Sequence, residues 1–177
     1  MPSQFIVYAC PTGPLADQLA HYFEHSLRQC GRNAAHAYMP HCSLTGFFRD
    51  DETAAPLYRR AIAQALSQAP PCPDPVIAIT GLHFRPDWHG LELQSDWLKQ
   101  LIANFAQLSI SCTRDEPLRL KTWLHLSLAY DFPTDRAAHL THLAQTHIDP
   151  HAPVGWELRF YQRHPDHTWT CHQSWPL

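Results

Sequence analysis

Sixteen prolines are spread along this 177-residue chain, and they limit it to short elements. Proline removes a backbone donor and blocks a helix interior, so an all-helical bundle is excluded. Between the prolines the apolar spacing alternates between two periods, as expected of a chain that alternates strands and helices. Residues 4–10 read as a buried strand. Residues 14–30 read as a helix, with Leu15, Leu19, Phe23 and Leu27 at four-residue spacing and Gly31 as its stop. Pro40 opens an extended run from His41 to Phe48. Leu57, Ala61, Ile62, Ala65 and Leu66 mark a second helix, ended by the Pro70–Pro75 cluster, which is the natural boundary between two lobes.

Strands are expected over 76–82 and 90–94. A third helix follows on Trp97, Leu98, Leu101, Ile102, Phe105 and Leu108. The pattern then predicts a strand from Leu118 to Tyr130, a helix over 134–148, and a closing hairpin, 154–163 and 168–175, around His164-Pro165-Asp166. The order β-α-β-α-β-β-α-β-α-β-β with hairpins indicates an α+β fold with largely antiparallel sheets, built as a single domain over 1–177. Its two halves follow similar plans.

The chain is 45% hydrophobic with a formal net charge of −3, which excludes disorder and argues against a broad basic surface for duplex DNA. No stretch has the length of a membrane span, and the first residues do not read as an export signal. The six scattered cysteines, with no Cys-x-x-Cys pair, then read as free thiols in a cytoplasmic protein, most of them small core residues. No membrane partner is expected, and a monomer is.

Two segments carry the chemistry: Pro40-His41-Cys42-Ser43-Leu44-Thr45 and Leu124-His125-Leu126-Ser127-Leu128-Ala129. Side chains alternate faces along a strand, so His41, Ser43 and Thr45 share one face, as do His125 and Ser127, while the leucines anchor the other. One His-x-Ser on a strand carries little weight. A matched pair, at equivalent places in similar halves, carries much more. Two imidazoles and two hydroxyls around one point suit a tetrahedral phosphate. One neutral ring would take a proton from water, the other would give one to the leaving oxygen, and the hydroxyls would donate to the non-bridging oxygens. No metal or other cofactor is needed.

These motifs resemble those of the 2H phosphoesterase superfamily, whose hallmark is two His-x-Ser/Thr motifs on opposed strands, and within it the cyclic phosphodiesterase-like and TULA-type domains. The resemblance implies two pseudo-symmetric lobes, each an antiparallel sheet backed by helices, around a central cleft. It implies metal-independent hydrolysis of 2′,3′-cyclic phosphates or 2′-5′ phosphodiester bonds of nucleotides or RNA ends. His41 and His125 would be the acid–base pair, Ser43 and Ser127 the phosphate ligands, and Tyr130 the aromatic residue five positions after the second histidine. The working order has His125 activating water and His41 protonating the leaving oxygen. The acidic balance favours a nucleotide or an RNA terminus over a long RNA.

Were the strand regular back to Arg119, Lys121 and Trp123 would share the face of His125, Lys121 adding positive potential and Trp123 stacking on a base. Tyr38 and Phe48 flank the first motif. The other histidines, in groups at 139–151 and 164–172, read as solvated positions. Two competing readings are a non-catalytic module that binds a phosphorylated nucleotide and a histidine-rich metal protein.

Overall fold

A computed structural model describes residues 2–177. It contains eight strands and four helices: β1 Pro2–Thr12, α1 Pro14–Cys30, β2 Cys42–Ser43, β3 Phe48–Asp51, α2 Ala55–Gln68, β4 Ala78–Phe84, β5 Trp88–Gln94, α3 Asp96–Leu108, β6 Leu124–Tyr130, α4 Ala137–His147, β7 Gly155–Arg163 and β8 Trp169–Pro176. The α+β class expected from the sequence is the class observed.

Local chemistry explains the element ends. Pro14 opens α1, where its missing N–H is harmless and its fixed φ already helical. Gly31, at φ 79°, ends the helix with its N–H on the Leu27 carbonyl. Ser95 caps α3 by accepting from Leu98 N at 3.1 Å, and it donates to Val76 O at 2.6 Å, tying the proline-rich linker to the helix start. The buried stripe of α3, Leu98, Leu101, Ile102 and Phe105, is the one its periodicity predicts. That of α1 is not. Leu15, Leu19, Tyr22 and Ser26 face inward, whereas Leu27 is half-exposed. Ser26 is accommodated because its hydroxyl bonds Phe23 O and the His36 ring, each at 3.2 Å.

All strands join one antiparallel sheet in the order β4-β5-β6-β2-β1-β7-β8, with β3 beside β2 on the same edge of β1. β1 and β7 form the longest ladder, from Gln4↔Arg163 to Thr12↔Gly155. The central order β5-β6-β2-β1 is the same from either end if β1 is matched with β5 and β2 with β6. Helix packing obeys the same exchange, with α1 against α4 and α2 against α3. Both relations place an approximate two-fold axis between β2 and β6, where the two lobes meet.

The four helices cover one face of this sheet. Phe5, Val7, Ala9, Leu44, Leu91, Leu124, Leu126, Leu128, Leu158 and Phe160 face them in a single apolar core. Alternate residues of β1, Ile6, Tyr8 and Cys10, turn to the opposite face and pack with Tyr161, Met39, Phe47 and Trp169. That second face carries the cleft.

Three sequence-based expectations need correction. The run His41–Phe48 is not one strand, because the chain leaves the sheet at Leu44 and rejoins β1 only at Phe48. The strand expected from Leu118 begins at Leu124, and the segment before it touches the first motif through an isolated Thr45↔Leu120 bridge. The thiols are free, but only Cys10 and Cys42 are buried, whereas Cys72, Cys112 and Cys171 are exposed.

Candidate active site

The register Cys42↔Leu126 assembles the site. In an antiparallel pair, one step either way sets Ser43 beside His125 and His41 beside Ser127. Cys42 and Leu126 are themselves fully buried, so the flanking polar residues are turned to the other face. Exchange across the two-fold axis maps His41 onto His125 and Ser43 onto Ser127. The two similar motifs thus meet back to back on adjacent strands.

Strand β2 is two residues long and needs outside support. The Leu44 N–H donates to Val7 O at 3.0 Å, and Thr45 Oγ1 accepts from Val7 N at 3.1 Å. On the other side Gly46 N bonds Arg119 O at 2.7 Å and Lys121 N bonds Leu44 O at 2.9 Å. Thr45 is completely buried, and its oxygen fastens the motif to β1. Of the residues grouped with the first motif, it is the one set into the scaffold.

Each histidine is held in the same way. His41 Nδ1 lies 2.7 Å from Met39 O, and His125 Nδ1 lies 3.3 Å from Trp123 O, each carbonyl two residues upstream. A ring nitrogen facing a carbonyl carries the proton, so Nε2 is the nitrogen each ring offers to the cleft. Each ring also lies against an aromatic plane. His41 stacks on Tyr8 with centroids 3.8 Å apart, and His125 stacks on Trp123 at 3.9 Å.

Burial pushes the His41 imidazole down to about 4, with the Met39 carbonyl opposing and the neighbouring His125 reinforcing the shift. Burial also lowers His125, helped by Lys121 and Arg85 and opposed by the Trp123 carbonyl and Glu92. The Tyr130 phenol is raised, chiefly by burial, and stays protonated as a donor. Burial pushes the Cys42 thiol up to about 12, so the cysteine within the first motif is no nucleophile.

His41, Ser43, His125, Ser127 and Tyr130 line one cavity of about 590 Å³, together with Tyr38, Trp88, Trp123, Arg85 and Asp87. A side chamber of about 220 Å³ shares His41, Ser43, Tyr38 and Tyr130 and adds Thr45, Arg119 and Lys121. Lys121 thus lines this chamber with His41, and its charge is felt at His125. Tyr38 lines the cavity, whereas Phe48 is buried in the helix-side core.

Trp88 escaped the sequence analysis. Its indole Nε1–H donates to Ser127 Oγ at 2.9 Å, and its ring meets Trp123 and His125 edge-on at 5.0 and 5.4 Å. Arg85 lies over both tryptophans and pairs with Glu92 at 2.7 Å. The available signal was Trp88-His89-Gly90. Gly90 pairs with Ser127, and a Cβ there would run into the Trp88 ring, so the glycine is what lets the indole cross over to the serine.

Among the described residues, no group of three or more His, Cys, Asp or Glu side chains is arranged to hold a metal ion, so the histidine groups at 139–151 and 164–172 form no such cluster. His139 instead bonds Gln29 Oε1 at 3.0 Å, and His172 bonds Gln162 Oε1 at 2.8 Å. No helix is long and apolar enough to cross a membrane.

No family model matches the chain. It is similar to an ecdysteroid-phosphate phosphatase of Bombyx mori, 31% identical over 173 residues, which cover 93% of this chain and 25% of that protein. The protein of the same name in Drosophila melanogaster is 28% identical over 93% of this chain and 26% of its own length. Ubiquitin-associated and SH3 domain-containing protein B of Mus musculus is 30% identical over 92% of this chain and 26% of its own. The chain thus spans about a quarter of the length of these curated relatives and resembles in each a segment that takes in nearly the whole of the present fold.

Proposed function

We propose that the chain is a two-histidine phosphoesterase that hydrolyses 2′,3′-cyclic phosphates or 2′-5′ phosphodiester bonds of nucleotides or RNA ends. The observation that carries this reading is the Cys42↔Leu126 register, which sets two His-Ser pairs around one point of a single cavity. Two of the relatives are named as phosphatases of a phosphate ester, which supports phosphoester hydrolysis as the reaction class. Their names describe proteins about four times as long, and the substrate proposed here is the one the 2H resemblance implies, which the two-histidine cleft can accommodate.

In this mechanism the phosphate sits between the two Nε2 atoms. Ser43 and Ser127 donate to its non-bridging oxygens, where charge builds as water adds. Ser127 is prepared for this, because its oxygen already accepts the Trp88 N–H and its own proton is left for the ligand. The neutral ring removes a proton from water as the new P–O bond forms. The protonated ring gives its proton to the ribose oxygen as the old P–O bond breaks. The deeper depression at His41 suits it to the neutral role, with His125 as the acid, which reverses the order taken from the sequence.

The test is a panel of nucleoside 2′,3′-cyclic phosphates and 2′-5′-linked dinucleotides, incubated with excess chelator and resolved into 2′- and 3′-phosphate products. Turnover that needs both histidines supports the proposal. Tight binding of phosphorylated nucleotides with no turnover of any substrate would sink it in favour of a binding module.

A further inference from the structure

We propose that the side chamber beyond His41 is a second anion subsite, in which Arg119 and Lys121 take a phosphate group that the substrate carries in addition to the one between the histidines. The inference builds on the two-histidine reading above.

The chamber of about 220 Å³ opens from the main cavity past His41 and Ser43. Arg119 and Lys121 stand on its wall, and both are exposed to a ligand arriving from solvent. Arg119 is already held in place. Its Nη2 donates to Phe47 O at 3.3 Å, and its guanidinium lies so close over Gly46 that a Cβ there would come within 3.2 Å. Lys121 has its backbone fixed by Leu44 O.

The charges make the cleft directional. The chamber lining contains no carboxylate, although the chain as a whole is acidic. Among the described residues, neither Arg119 nor Lys121 lies within ion-pair distance of an acid. The rest of the main cavity carries Asp87 and Asp131, and its arginine, Arg85, pairs with Glu92. A second anion is therefore better placed against Arg119 and Lys121 than beside those carboxylates. A ligand phosphate there gains charge-assisted hydrogen bonds from a planar guanidinium and an ammonium. The sugar and base are left for the Trp88 and Trp123 end, where aromatic planes suit them.

The added phosphate could be a 5′-phosphate on the same nucleoside or the next internucleotide phosphate. Calorimetry distinguishes them with three probes: adenosine 2′-phosphate, adenosine 2′,5′-bisphosphate, and a diadenosine dinucleotide ending in a 2′-phosphate. Each is titrated into the wild-type protein and into the Arg119→Gln/Lys121→Gln variant at two salt concentrations. One or both probes that carry a second phosphate should bind about tenfold tighter than the monophosphate, and the probe that gains more identifies the source. The ratio should shrink at high salt, because exposed charges are screened, and should collapse toward one in the variant. A ratio near one in the wild type overturns the subsite. A salt-sensitive ratio that survives in the variant overturns its assignment to Arg119 and Lys121. If the ratio holds but no cyclic phosphate or 2′-5′ dinucleotide is turned over, the hydrolytic reading fails and the subsite stands. If none of the probes binds, both fail.

Discussion

The indole nitrogen of Trp88 lies 2.9 Å from Ser127 Oγ and donates to it across strands β5 and β6. This bond occupies the serine oxygen as an acceptor and leaves its proton as the one donor aimed at a ligand. Trp88→Phe keeps the aromatic packing and removes only that constraint. The net worth of one hydrogen bond is about 1 kcal/mol, so kcat should fall about fivefold, with KM little changed and melting temperature nearly intact. Steady-state kinetics on a nucleoside cyclic phosphate check it. A kcat retained in Trp88→Phe but lost in Trp88→Leu would show packing, rather than the indole N–H, to be what matters.

His41→Ala and His125→Ala should each lower turnover by about 10²–10⁴-fold, the usual range for one general acid or base. Neither ring belongs to the helix-side core, so both variants should retain cooperative melting. The double variant should lose little more than either single one if, as proposed, the two groups act in the same displacement. Additive losses, measured by the same assay, would separate the two histidines into independent roles.

The pH profile follows from the two depressed imidazoles. With His41 as base, kcat/KM rises as pH climbs through about 4, where the free ring becomes neutral. With His125 as acid, it falls again as that ring loses its proton below the ordinary 6.5. The optimum of kcat/KM should therefore lie between about 4 and 6.5. A bound phosphate anion favours both protonated rings, so the kcat profile should sit at higher pH. Stability carries the matching sign. The folded His41 binds its proton less readily than the unfolded one, so its contribution is present above 6.5 and is lost as pH falls toward about 4. Chemical denaturation at pH 7 and pH 5 measures that loss, which His41→Asn should reduce.

A second titrating group lies far from the cleft. Asp50 is buried and accepts from Thr113 Oγ1 at 2.6 Å, from the Asp51 amide at 2.7 Å and from the Tyr58 hydroxyl, while Arg114 Nη1 donates to that tyrosine at 2.9 Å. Burial alone would raise the carboxyl, but hydrogen bonds from Ser111, Thr113, Tyr58 and the Asp51 amide outweigh it and lower it. Asp50→Asn turns an acceptor-only group into one with two donors facing donors. It should destabilise the protein by about 2 kcal/mol with kcat unchanged. Thermal melts with parallel assays test this, and a loss of kcat at unchanged stability would tie the network to the cleft.

The residues that could be read in advance are those whose partners are local. Gly31 after α1 and the two His-x-Ser motifs follow from propensity or strand alternation, which need no knowledge of distant contacts. The approximate two-fold axis was suggested by the likeness of the halves and becomes definite only in the Cys42↔Leu126 register. Ser26 on the buried side of α1 was not legible, because its partner His36 arrives from a later turn. Residues 118–123 alternate like a strand, yet their hydrogen bonds go to Leu44 and Gly46 at isolated points and not to a ladder. Trp88 was hidden for the same reason. Nothing near it in sequence announces that Ser127 is its partner.

Gly90 brings these effects together. Its ladder partner is Ser127, the Trp88 ring covers it, and an added Cβ would meet both that ring and the Leu126 carbonyl. Gly90→Ala must therefore displace the indole or push β5 away from β6 beside the second histidine. Strain of this kind costs about 1–3 kcal/mol, and here turnover should fall with it. A second variant separates the two clashes. Trp88→Ala with Gly90→Ala removes the ring but leaves the carbonyl. If the ring is the main obstacle, the double variant melts no lower than Trp88→Ala alone, and turnover stays low because Ser127 has lost its donor. If the carbonyl is the main obstacle, the double variant melts lower still. Differential scanning calorimetry on the three proteins decides between them, and a Gly90→Ala protein with wild-type melting and wild-type kcat would remove Gly90 and the indole above it from the account of the site.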